Sequence, residues 1–274
     1  MKIKNIFLSL TATLALALTS SCSNIDPDDR LIYVKPAEVG RTVLIEDFTG
    51  QKCPNCPRGT ERINEIVEAY GEDNVIVVGI HSGPLGFKGT AKNIGLMNDE
   101  GSTYYTTWDK ENKVGQPWVL FNRNKAPNNN IDTWMSPVKA LIAKKAVLSI
   151  GISNTYNATD RNLTVNVDAF GTNGNHSGKL QVWLIEDGIV AMQVMGDGST
   201  NRNYMHNHVF RTSVNGTWGE AINVKEGEHA FATYSYTLPE KWNADKVSVV
   251  AFVYDDNEVL QAAKKPVMAA TEGE

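Results

Sequence analysis

The chain has 274 residues, 42% of them hydrophobic and 21% charged, with a formal net charge of -5. A mildly acidic chain without a basic cluster argues against nucleic acid as a partner. Beyond the first two dozen residues no apolar run reaches the ~20 residues of a membrane-spanning helix.

The first 21 residues read as an export signal. Lys2 and Lys4 give a positive start, Ile6 to Leu18 is mostly apolar, and Thr19, Ser20 and Ser21 are small. That layout is left out of fold reasoning. A small-residue run ending in Cys22 resembles a bacterial lipobox. The resemblance implies cleavage before Cys22 and lipid on its sulfur, which would hold the chain to a membrane. The alternative is an ordinary secretory signal followed by an incidental cysteine. Ser23 to Asp29 is a short acidic tether, similar to the stretch that sends some Bacteroidetes lipoproteins to the cell surface; a plain polar linker would look alike. Without Lys2 and Lys4 the net charge is -7. About 250 residues remain, enough for two modest domains or one large one.

Thr42 to Phe48 is predicted as a strand, rich in Val, Leu and Ile. A helix follows from about Pro57 to Tyr70. Its Ile63, Ile66, Val67 and Tyr70 repeat at the spacing of one buried helical face, and Gly71 ends it. Val75 to Ile80 is a nearly continuous β-branched run, as in a central strand covered on both sides. Strand, helix, strand is the start of an α/β unit. Residues 82–113 show little periodicity; short helices over Gly89 to Met97 and Tyr104 to Lys110 are the expectation, the second with a loop as its alternative. Trp118 to Phe121 reads as a strand and Ser136 to Ala146 as a helix.

From Val147 the pattern changes. Val147–Asn154, Leu163–Phe170, Leu180–Glu186, His208–Ser213, Glu228–Leu238, Val247–Tyr254 and Val259–Ala263 all suit strands, separated by Asn, Gly and Asp. Short strands at this spacing point to an antiparallel sandwich. The expected fold class is therefore α/β plus all-β: a thioredoxin-like domain followed by an immunoglobulin-like antiparallel β-sandwich. The expected organisation is a signal at 1–21, a lipidated tether at 22–40, the first domain at 41–146 and the second at 147–274.

Cys53-Pro54-Asn55-Cys56-Pro57 is the strongest chemical motif. It follows a strand and opens a helix. Two cysteines so spaced can close a small disulfide where the chain turns. Free N–H groups and the positive field of a helix N-terminus favour the Cys53 thiolate, which leaves Cys56 as the resolving thiol. Three readings stay open: a redox-active pair, a purely structural disulfide, or half of a metal site. The last lacks the second ligand pair that a closed zinc site requires.

Glu46 to Cys53 resembles the approach to a thioredoxin active site, where an acidic residue followed by Phe lies six places before the first cysteine. Asp47 and Phe48 stand there. The resemblance implies that Asp47 is a partly buried carboxylate taking a proton from Cys56. It also implies that Pro117, in Gly115-Gln116-Pro117 before a strand, is a cis-proline facing the disulfide. Lys52 departs from the family's usual tryptophan, and Pro54-Asn55 from its usual Gly-Pro. The catalytic candidates are thus Cys53, Cys56, Asp47 and Pro117.

A closer resemblance is to the Omp28-related outer membrane lipoproteins of Bacteroidetes. It rests on Asp47 to Pro57, His206 to Arg211, Asn215 to Gly219 and Val250 to Tyr254. It implies an outer-membrane location, with a thioredoxin-like domain first and a β-sandwich second. It supplies no defined activity.

Among other candidates, His81 at a strand end is placed to tune the cysteine pair, or is a loop histidine with a local hydrogen bond. His206 and His208 would share a face if both lay in one strand; a ligand role competes with simple packing. Gly196 to Asn201 reads as a hairpin loop rather than a calcium loop. No motif implies a cofactor or a bound metal. Two functions compete. One is thiol–disulfide exchange on envelope proteins. The other is a cell-surface binding or structural lipoprotein with an inert disulfide, holding a protein or glycan on its β domain.

Overall fold

The structure, a computed structural model, describes residues 39–268. The signal, Cys22 and the tether as far as residue 38 lie outside the described residues, as do residues 269–274. No helix among the described residues is long and apolar enough to cross a membrane.

A mixed α/β region comes first. Strand β1 (Val39–Gly40) leads to β2 (Val43–Thr49), helix α1 (Cys56–Tyr70) and β3 (Val75–His81). Helix α2 (Asp99–Trp108), β4 (Trp118–Phe121), α3 (Met135–Ile142) and β5 (Lys145–Ala146) complete it. β2 and β3 are parallel, as a crossover through α1 requires, and β4 lies antiparallel on the other side of β2. α1 buries Ile63 and Ile66 and ends at Gly71, whose φ is +84°. Residues 89–97 do not form the expected helix. They fold back as a loop held by Thr90 N donating to Asn93 O and Met97 N to Phe87 O. α2 begins earlier than expected because the Asn98 side chain caps it, accepting from Gly101 N at 2.7 Å. α3 stops at Ile142, short of the expected Ala146, and Lys145–Ala146 pair instead with β1.

Ten strands follow: β6 (Leu148–Asn157), β7 (Asn162–Gly171), β8 (His176–Glu186), β9 (Ile189–Val194) and β10 (Thr200–His206), then β11 (Val209–Ser213), β12 (Glu220–Val224), β13 (His229–Thr237), β14 (Val247–Tyr254) and β15 (Val259–Pro266). β9, β10 and β12 were not anticipated from the sequence.

One sheet runs through both regions in the order β15-β14-β8-β11-β3-β2-β4, with β12 continuing beside β8 past the end of β11. The join is the parallel contact of β11 with β3 at Val209 and Gly79. β13, β7 and β6 form a second sheet, and β9 with β10 a separate hairpin. On one face of the large sheet, Ile63, Ile66, Trp134 and Val138 cover Val43, Ile45, Val75 and Val77. Further along the same face, Leu163, Val165 and Val167 of the second sheet pack on Val182, Leu184, Val249 and Ala251. The opposite face carries an aromatic layer: Phe48, Tyr104, Tyr105, Trp118, Trp183, Phe210 and Phe252. The result is a mixed α/β N-terminal region and a large C-terminal β-sheet region, consistent with a thioredoxin-like plus β-sandwich-like architecture.

Candidate functional site around the Cys53–Cys56 disulfide

The chain leaves β2 at Thr49, turns through Gly50, Gln51 and Lys52, and enters α1 at Cys56. Cys53 N donates to Gly50 O at 3.0 Å and Cys56 N to Cys53 O at 3.4 Å, so the backbone doubles back between the cysteines. The two are joined as a disulfide with Cα atoms 5.4 Å apart. Both are buried, Cys53 at 0% and Cys56 at 3% exposure. Pro57 occupies the first turn of the helix, where a missing N–H is harmless.

Asp47 lies in the middle of β2, flanked in register by Gly79 on β3 and Val119 on β4. Its carboxyl is buried, and Oδ1 makes no hydrogen bond among the described residues. Burial pushes its pKa up to about 7. Asp47, Cys56, His81, Gln193, Tyr204 and His206 line one small cavity of about 30 Å³. The His81 and His206 rings meet edge to face at 5.1 Å. Desolvation holds His206 down to about 4. It also holds His81 well below its ordinary range, reinforced by the charges of His206 and Arg211. At neutral pH the cavity therefore contains two uncharged imidazoles and a carboxyl poised to titrate.

The hairpin β9–β10 closes this site. Gln193 Nε2 donates to Cys53 O at 2.9 Å and to Gly50 O at 3.3 Å. Val194 N donates to Gln51 O at 2.9 Å. The Gln51 side chain donates in turn to Met192 O and Ile94 O, both at 3.1 Å, and accepts from Leu96 N at 2.8 Å. One glutamine from each side thus laces the cysteine loop to the hairpin. The turn of that hairpin lies within the expected Gly196 to Asn201 loop, closed by Met195 N donating to Ser199 O.

Of the residues singled out from sequence, the structure brings Cys53, Cys56 and Asp47 together. The Gln116–Pro117 bond is cis. Pro117 is buried against the first turn of α1. A Cβ added to Gly59 would come within 2.9 Å of the Pro117 ring, so this close approach requires glycine. The Gln116 side chain donates to Thr49 O and Ser82 O, tying together the ends of β2 and β3. His206 and His208 do not share a strand face: β10 ends at His206, which turns into the cavity, whereas His208 has φ +57° and its ring lies 3.0 Å from Asp187. Among the described residues no group of three His, Cys, Asp or Glu side chains is placed to hold a metal. Gln51, Gln193 and Tyr204 carried no motif that would single them out.

The family model of outer membrane protein Omp28 matches residues 101–270. HBP35 of Porphyromonas gingivalis superposes with a TM-score of 0.66 at 16% identity, over 87% of this chain and 80% of that one. A domain of the outer membrane lipoprotein Omp28 from the same organism is 28% identical over 44% of this chain and 88% of its own, with a TM-score of 0.33. No curated protein matches the chain. The family match covers more than half of the residues, including the β9–β10 hairpin but not β2, β3 or the cysteine loop; the chain belongs to the Omp28 outer membrane protein family.

Proposed function

We propose that this outer-membrane-associated protein exchanges thiols and disulfides with other envelope proteins, and that lipid on Cys22 anchors it to the membrane. The observation that carries the reading is Asp47. A buried carboxyl whose Oδ1 finds no hydrogen bond costs stability, and a disulfide that only stapled a loop would gain nothing from one lining the same cavity as Cys56. A titrating carboxyl beside the resolving thiol is what exchange requires. In the reductive direction the Cys53 thiolate attacks a partner's disulfide and expels one of the partner's sulfurs as a thiolate. Cys56 then gives its proton to Asp47. Its sulfur attacks Cys53, re-forming the 53–56 bond and releasing the partner's second thiolate. The reverse sequence oxidises a partner dithiol. In both, the β9–β10 hairpin has to lift, because Cys53 is fully covered. A thioredoxin-like module joined to an immunoglobulin-like sandwich would combine such a centre with a broad surface.

The same burial favours a second reading, in which the disulfide is inert and the molecule is a surface binding or structural lipoprotein. One experiment separates them: the redox potential of the pair and disulfide-reduction turnover, measured on the full chain carrying Cys22→Ser. Exchange predicts a potential of about -270 mV or higher and turnover abolished by Cys53→Ser. A potential below about -300 mV without turnover would establish the inert disulfide.

A further inference from the structure

The β13-β7-β6 sheet buries one face and turns the other to solvent. Outward positions follow strand alternation: His229, Phe231, Thr233 and Ser235 on β13, then Phe170, Asp168, Asn166 and Thr164 on β7, and Ser149, Gly151, Ser153 and Thr155 on β6. Register aligns them in rows, Phe231–Asp168–Gly151 next to Thr233–Asn166–Ser153. Phe231 is 75% exposed, more than any other large hydrophobic side chain among the described residues. Gly151 puts no side chain opposite Asp168, and a depression of about 500 Å³ opens there between Phe231, Asn166 and Ser153.

We propose that this depression binds a neutral oligosaccharide. The aromatic face of Phe231 offers a platform for the C–H face of a sugar ring. It is held in place: His229 stacks parallel to it at 5.6 Å, and Asp168 fixes His229 through Nδ1 at 2.8 Å. Around the platform stand neutral hydroxyl and amide groups plus one carboxylate, the donor and acceptor set that sugar hydroxyls match. Cross-strand bonds already orient them, Thr233 Oγ1 donating to Asn166 at 2.8 Å and Asn162 Nδ2 to Ser235 at 3.0 Å. No outward position of these strands is Lys or Arg, so the face offers an anionic ligand no lysine or arginine. Its large apolar side chains are Phe170 and Phe231, on either side of His229, fewer than the apolar core of a protein interface presents. The site stands apart from the disulfide and does not depend on the exchange reading.

The test is isothermal titration of the full chain carrying Cys22→Ser with neutral gluco-, manno- and galacto-oligosaccharides of six residues, against a sialylated oligosaccharide and a heparin fragment. The expected result is binding of at least one neutral probe with a Kd of about 1 mM or tighter. Phe231→Ala should weaken it at least about tenfold, and Gly151→Val, which fills the depression, should do likewise. Phe231 is a surface residue, so its variant should keep the wild-type urea midpoint. No binding of any neutral probe, tighter binding of the anionic ones, or indifference to both substitutions would overturn the assignment.

Discussion

Asp47 puts a carboxyl where water cannot solvate it, and the sign of the consequence is fixed. Its folded-state pKa of about 7 lies above that of the unfolded chain, so the folded form holds a proton the unfolded form has lost. Stability therefore falls as pH rises from about 4 to about 7, by about 4 kcal/mol at most. His206 works in the opposite sense: depressed to about 4, it makes the protein gain stability over much of the same range. The two partly cancel in the wild type. Asp47→Asn removes the first and leaves the second, so its urea-unfolding free energy should rise between pH 4.5 and 7.5 more steeply than the wild type's. A constant difference between the two proteins across that range would mean that Asp47 does not titrate there. Arg123 presents another buried charge. Its Nε lies 3.1 Å from Glu46, and its guanidinium carbon sits 4.4 Å from the Tyr254 ring centre, 4.8 Å from Phe252 and 5.1 Å from Trp183. Burial pushes the Glu46 carboxyl up, and Arg123 opposes the push. Arg123→Met strands that carboxylate and should cost about 3–5 kcal/mol in urea titration, whereas Arg123→Met with Glu46→Gln should recover much of the loss.

At the scale of elements, the site is a hairpin laid over a cysteine loop. Gln193 donates to two backbone carbonyls of that loop, and removing such buried bonds raises local opening about tenfold. Gln193→Ala should therefore speed reduction of the 53–56 disulfide by excess small thiol by about the same factor, with global stability little changed. An unchanged rate would show that something other than the hairpin limits access. The cysteine loop was legible in sequence because its signals are local: a strand, a spaced pair, Pro57 and an amphipathic helix within thirty residues. Of the hairpin only the turn was, at Gly196 to Asn201; its two strands were not. β10 opens on Thr200, Asn201, Arg202 and Asn203, all exposed, and its register shifts between Asn201 and Tyr204, so the alternation that marks a strand is broken. His206 lies 125 positions after His81, and only the tertiary fold brings the two rings together.

At the scale of the whole molecule, the main sheet passes straight through the domain boundary expected after residue 146. β11 pairs with β3 on one side and β8 on the other, linking strands from both regions. Asn122, just past β4, accepts from Val259 N at 2.7 Å, and its side chain accepts from Leu44 N at 2.7 Å. The aromatic layer mixes Phe48, Tyr104 and Trp118 with Trp183, Phe210 and Phe252. A split after residue 146 would expose those rings, uncover the β3 edge, and part Arg123 from the Trp183, Phe252 and Tyr254 rings around it. Exposed apolar surface of that kind and an unpaired strand edge both work against independent folding. The full chain should unfold in one cooperative urea transition, with tryptophan fluorescence and far-UV circular dichroism superimposable. Fragments 39–146 and 147–268 should each lack dispersed amide resonances alone and regain them when mixed. A folded, monomeric 39–146 fragment with an intact 53–56 disulfide would instead show that the cysteine site is an autonomous module to which the hairpin was added as a cover.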